Sequence, residues 1–316
     1  MEVSIFQLIL IKIRRILILC MRTTNPDPLN KGEWANSQLP NVDVVIPVAQ
    51  KDIVLLKRVI SGLNENCRNP VKNIHIITPD PNQIDFQLDD KTKIYSDFQY
   101  LKIDLKSKLS HIPEVVGWVT QQMIKIQSVK YSKEKYILWL DADTILNSPR
   151  SFATSQVIVD LVSDEFHPPY FRGLKACFGF KFPPFRLSRI THHTIIETNA
   201  WRKFMNDNQI SSTLDWLNIF LKLLSVNMSS STKDKKSTKS WFIFGKYSFS
   251  EYELNGLIMK KYGIKRKKVY WWNDSRQLYK FDPTWIKNNE GKINAISKKL
   301  YPDRPYSISY HSWNQF

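Results

Sequence analysis

The sequence predicts an α/β fold, a mostly parallel central sheet with helices on both faces, followed by a less regular C-terminal lobe. Two patterns carry this. Between residues 42 and 140, short β-branched apolar runs alternate with stretches whose apolar residues recur at helical spacing, the order that builds βαβ units and a parallel sheet. After Pro149 the alternation gives way to Pro- and aromatic-rich segments such as FHPPYFRGLKACFGFKFPPFR (166–186). At 316 residues, 42% hydrophobic and 13% aromatic, the chain can bury a large core and is not disordered.

In order, MEVSIFQLILIKIRRILILCMR (1–22) is apolar over about the length a bilayer needs, yet holds Lys12, Arg14 and Arg15 in its middle. A central charge costs a spanning helix roughly 2.5–3.5 kcal/mol, and no small-residue cleavage site follows. The segment reads as a basic amphipathic helix lying on a membrane or packed on the core, with a signal anchor as the lesser alternative. Residues 23–41 are rich in Pro, Asn and Asp without periodicity, which marks a linker. VDVVIPV (42–48) is a buried strand, and DIVLLKRVISGLNENC (52–67) a helix with Asp52 at its N-cap. NIHIITPD (73–80) is the next strand and closes a βαβ unit. GWVTQQMIKIQSVKY (117–131) sets Val119, Met123, Ile126 and Val129 at helical intervals, and KYILWL (135–140) is again a buried strand. Beyond them lie a helical stretch LDWLNIFLKLL (214–224), a polar loop SSSTKDKKSTKS (229–240) and a tail mixing aromatics with charge.

A formal charge of +17, from 46 Lys+Arg against 29 Asp+Glu, points to an anionic partner: ligand phosphates, an acidic membrane surface or nucleic acid. No zinc finger, helix-turn-helix or RNA-binding motif supports the last. Cys20, Cys67 and Cys177 are odd in number and widely spaced, with no disulfide framework. A reducing compartment follows as the expectation: cytoplasmic, peripheral at a membrane. The sequons at Asn227 and Asn273 are read as chance.

The strongest chemical signal is YILWLDADTILNSP (136–149), an apolar strand that stops at Asp141 and Asp143. Two carboxylates this close repel and raise each other's pKa unless a cation offsets them. Mg²⁺ or Mn²⁺ suits oxygen ligands and keeps positions open for phosphates. Ligands of open α/β sheets bind at the carboxyl edge of the strands, where this pair falls. A solvated strand end is the alternative.

LWLDADT resembles the Asp-x-Asp motif of GT-A nucleotide-sugar glycosyltransferases, and VVIPVAQKD their first strand and loop. More narrowly, GWVTQQMIKI, LDADT, THH (191–193) and FSEYELNG (249–256), in this order, resemble a largely uncharacterised glycosyltransferase-like family over residues 42–316. The resemblance implies a GT-A-like transferase with its nucleotide-sugar donor on 42–147 and its glycan or lipid-linked acceptor mainly on 148–316. It implies Mn²⁺ or Mg²⁺ held by Asp143, by Asp141 directly or through its shell, and by a late histidine, His311. Donor contacts would come from Pro47, Lys51, Asp52, Asp80, Gln121, Gln122, Asp141 and Ala142. His192 and His193 would meet acceptor or phosphate. Glu251 or Glu253 would be the general base, and Asp141 would join the catalytic set. Haloacid-dehalogenase-type phosphatases also place an Asp pair after an apolar strand, with the first, here Asp141, as nucleophile. Ile145 stands where they carry Thr or Val, and Thr144 comes one residue early. A non-enzymatic basic module binding membrane or nucleic acid is the third reading.

Several of these residues also have plain structural roles. Gln121 and Lys125 share a helix face with Gly117, which reaches donor hydroxyls or phosphate, or else faces solvent. Ser250 is placed to cap a helix whose dipole would favour Glu251 and Glu253 in its first turn. The lysines of KKYGIKRKK (260–268) read as a solvated face or a contact for acidic lipid.

Overall fold

The structure, a computed structural model, describes residues 38–163, 167–181, 187–231, 249–270 and 307–309, together with 13, 16, 17, 20, 21 and 32–35. Strand β1 (Val42–Pro47) is buried at every residue and pairs in parallel with β2 (Val71–Thr78) and β4 (Tyr136–Leu140). β3 (Thr92–Ser96) extends the parallel array beyond β2. β7 (His193–Glu197) closes the other side antiparallel to β4, giving the order β3-β2-β1-β4-β7. This is the mixed α/β architecture with a mostly parallel central sheet that the sequence predicts, and it is consistent with a GT-A-like fold.

The local reasons are those of the sequence. β1 and β4 are buried throughout and read as apolar runs without alternation, broken by Asp43 of β1, which accepts from Asn73 Nδ2 (2.8 Å) and the Ser132 hydroxyl. Helix α1 (Ile53–Asn66) buries Leu55, Leu56, Val59, Ile60 and Leu63, a stripe at three- and four-residue spacing. It passes so close to β5 (Thr144–Leu146) that a Cβ on Gly62 would sit 2.8 Å from the Leu146 carbonyl oxygen. Short helices α2 (Asp97–Leu101) and α3 (Leu105–Lys108) follow β3, with a capping box at Ser96 and Gln99 on the first. Helix α4 (Pro113–Tyr131) starts four residues before its predicted boundary, with Pro113 in its first turn.

The later part is less regular but shares the same core. β6 (Ile158–Val162) pairs in parallel with β8 (Arg266–Tyr270), and α5 (Pro168–Phe178), α6 (Thr198–Asp207), α7 (Thr213–Ser231) and α8 (Glu251–Lys261) pack around the sheet. Trp201 of α6 meets Trp139 of β4 edge-on, ring centroids 5.1 Å apart. β9 (Ser307–Ser309) lies antiparallel to β5, with Thr144 and Ser309 hydroxyls 2.7 Å apart.

Two local expectations change. Within the expected linker, Gly32–Ala35 forms a 3-10 turn whose Trp34 is buried in the core, its carbonyl accepting from the Ser151 hydroxyl. An apolar indole gains more by burial than a free linker would retain. Asp52 sits at the N-cap of α1 but its side chain makes no capping hydrogen bond. Among the described residues, no helix is long and apolar enough to cross a membrane.

Candidate functional site

The site forms where β4 ends beside β7. The Asp141 amide donates to the His192 carbonyl (2.9 Å), carrying the antiparallel ladder one step past the Leu140–His193 pair. Pairing register therefore sets His192 opposite Asp141, although 51 residues separate them in the chain. His192 takes a left-handed backbone, φ +59°. For a non-glycine residue this stores on the order of 1–3 kcal/mol, and neighbouring hydrogen bonds sustain it. The Ser188 hydroxyl (2.8 Å) and Arg189 amide (2.9 Å) donate to Glu253, and the Thr191 hydroxyl donates to the His193 carbonyl (2.8 Å).

The His192 Nδ1 atom lies 3.2 Å from Asp141 Oδ2. Asp143 is half-buried two residues on, and one ligand atom from each of Asp141, Asp143 and His192 falls within 4.8 Å of the others. Two carboxylates and an imidazole, with no thiolate, form a donor set that could hold a divalent metal ion. His192 thus joins a potential metal centre, where the sequence placed it at acceptor or phosphate.

Behind the cluster, Asp141 is held by a buried network. Its Oδ1 accepts from Gln121 Nε2 (2.9 Å), the Tyr252 hydroxyl (2.9 Å) and Lys125 Nζ (2.5 Å). Lys125, 0% exposed, also donates to Glu251 Oε1 (2.7 Å) and the Tyr252 oxygen (2.9 Å). Burial alone would raise the Asp141 carboxyl; the Lys125 ammonium and then His192 outweigh it and hold the group well below the usual carboxylate range. Burial likewise opposes the charge on Lys125, but Asp141 and Glu251 hold its ammonium above its ordinary value. Burial, then Asp141, push the Tyr252 phenol well up, so it stays a donor. A nucleophilic aspartate needs an open oxygen. Asp141 is 7% exposed, with Oδ1 taken by three donors and Oδ2 3.2 Å from His192 Nδ1.

The remaining predicted residues fall into two groups. Gln121 reaches the site through Asp141. Pro47 ends β1 and is buried, as is Ala142; Lys51 is exposed, and Asp52 is half-buried at the entry to α1. The Asp52 carboxyl is raised to about 7, first by burial and then by the negative charge of Asp143, which places it in the field of the cluster. The other group is engaged elsewhere. Gln122 is buried and bridges α4 to the start of α8, donating to the Phe249 carbonyl (3.4 Å) and accepting from the Glu251 amide (3.2 Å). Asp80 accepts from Asn82 N (3.1 Å) and Gln83 Nε2 (3.0 Å) in its own turn. His193 donates from Nδ1 to the Thr191 carbonyl (2.8 Å), and burial, with Arg150 nearby, lowers it to about 3, leaving a neutral ring. Glu251 and Glu253 are 4% and 0% exposed, one against Lys125 and the other against Ser188 and Arg189. Ser250 caps α8 as predicted, accepting from Glu253 N (3.3 Å). His311 lies outside the described residues.

Sequence reasoning did not place His192 or Tyr252 beside Asp141, and it set Lys125 toward a ligand or solvent where the side chain is buried. Spacing places Lys125 on the face of Gln121, but that face meets Asp141 and α8, not a ligand.

No protein-family model matches this chain. No curated protein matches it either. Among solved structures the chain is similar to the glycosyltransferase GlyE of Streptococcus pneumoniae TIGR4, with 11% sequence identity and a TM-score of 0.36. The likeness covers 88% of this chain, which spans 57% of that protein's length.

Proposed function

We propose that this chain is a metal-dependent glycosyltransferase, moving a sugar from a nucleotide-sugar donor to a glycan or lipid-linked acceptor. One observation carries the reading: Asp141, Asp143 and His192 converge at the carboxyl end of β4, in a mostly parallel sheet whose ligands bind at that edge. When bound there, Mn²⁺ or Mg²⁺ supplies positive charge to a departing diphosphate. Asp143 and His192 would hold it together with Asp141, whose own anchors leave its Oδ2 on the side of His192. Lys51 and Asp52, at the mouth of β1, would meet the donor, and the later elements would take the acceptor. Glu251 and Glu253 support the site through Lys125 and the 188–189 segment. The apolar residues Ile13, Ile16 and Leu17, exposed at helical spacing beside Lys12, Arg14 and Arg15, fit contact with an acidic membrane surface.

The test is calorimetric titration of nucleoside diphosphates with and without Mn²⁺. Binding that requires Mn²⁺ and disappears in Asp143→Ala is the expected result. Binding that ignores both the metal and the substitution would sink the reading.

A further inference from the structure

An ammonium has three N–H donors, and Lys125 spends all three inside the protein, on Asp141 Oδ1, Glu251 Oε1 and the Tyr252 oxygen. It has none left for a donor phosphate, and at 0% exposure no path to one. Its place is nevertheless unlike that of a simple core ion pair. It joins three elements, α4, the end of β4 and the first turn of α8, at the carboxylate that borders the metal cluster.

We propose that Lys125 is a positioning residue for the metal centre. With Tyr252 and Gln121 it draws Oδ1 of Asp141 inward, so that only Oδ2 faces His192 and the cluster. Asp141 then offers a bound ion one oxygen in one orientation. Charge supports the assignment. Asp141, Asp143 and Glu251 carry three negative charges when ionised, Lys125 returns one, and the remaining two match a divalent cation. Glu251 belongs to the same device, since its Oε1 also accepts from the ammonium (2.7 Å).

The inference rests on the metal reading above, and its test separates the two. Mn²⁺ binding to the full chain is measured by calorimetry and by the electron paramagnetic resonance signal of free Mn²⁺, alongside thermal melts. The key variant is Lys125→Met combined with Glu251→Gln, which removes one charge of each sign and leaves the net charge of the site unchanged. If Lys125 serves only to neutralise Glu251, the double variant recovers both melting temperature and Mn²⁺ affinity. If it positions Asp141, the double variant, with Asp141 still buried beside no cation, melts below the wild type and binds Mn²⁺ about tenfold or more weakly, the loss typical when partners of metal ligands are removed. Direct charge repulsion does not account for a weaker affinity, because removing the cation lessens the repulsion of a bound metal. Unchanged Mn²⁺ affinity in a folded double variant overturns the proposal. Should that variant fail to fold, Tyr252→Phe decides, since it removes one hydroxyl from the same oxygen of Asp141 and no charge. About tenfold weaker Mn²⁺ binding upholds the proposal and unchanged binding overturns it. A wild-type chain that takes up no Mn²⁺ overturns the metal reading, and this inference with it.

Discussion

The first half of the molecule, 42–147, and the part that follows share one apolar core, but the part that follows adds buried ion pairs to it. The first is an apolar stack: β1 and β4 are buried throughout, and α1 and the sheet close over them. The second is latched by buried polar groups. Asp160 takes a bidentate contact from Arg189 (2.7 and 3.0 Å) and another from Arg266 (3.2 Å); Glu253 grips residues 188–189; Lys125 joins Asp141 to Glu251. Apolar burial is non-directional and tolerates adjustment, whereas hydrogen-bonded charge demands one geometry. The site residues lie where the two regimes meet, with the apolar strand supplying a rigid end and the latches its orientation.

The sharpest way to break this contrast is Lys125→Met. Leaving Asp141 and Glu251 buried without their cation should cost about 3–5 kcal/mol, as much as or more than the roughly 2–5 kcal/mol expected for Leu138→Ala in the apolar strand. Urea unfolding of both variants measures this. A loss for Lys125→Met no larger than that of a surface substitution would show that the later part does not depend on its latches.

A smaller effect sharpens the electrostatic side. With its native pKa raised to about 7 from an ordinary 3.8, Asp52 keeps its proton in the folded state over a range where the unfolded chain releases it. Its contribution therefore makes stability fall as pH rises from about 4 to about 7. In metal-free buffer, Asp52→Asn should remove that part of the decline, read from melting temperatures across the range. An undiminished slope would place the responsible group elsewhere.

Smallest of all is Asp80→Ala. If the carboxylate only caps its own turn, the loss is about 1 kcal/mol or less, and calorimetric binding of a nucleoside diphosphate is unchanged. Weakened binding at unchanged stability would return Asp80 to the donor site.

Much of the first half is legible in the sequence because its signals are local. Fully buried strands appear as mainly apolar runs, α1 and α4 as helical spacing, and the Asp141–Asp143 pair as acids directly after a strand. β7 is another matter. THHTIIE draws attention to two adjacent histidines, yet only their register against β4 distinguishes them. His193 turns into the core as the first residue of β7, and His192, one residue before the strand and held in a left-handed backbone, meets Asp141. The acids of FSEYELNG are equally ambiguous, since spacing on a helix shows which residues share a face and not what that face touches. Lys125, apparently available to a ligand, is fully buried for that reason.

By itself, then, the sequence determined the parallel sheet, the helices that cover it and the position of two carboxylates at a strand end, all of which follow from periodicity and chain order. Only the tertiary structure decided which side chains complete the site. His192, Lys125 and Tyr252 reach Asp141 across separations of 51, 16 and 111 residues. Strand pairing and helix docking fix those meetings, and contacts between distant segments leave no period in the sequence.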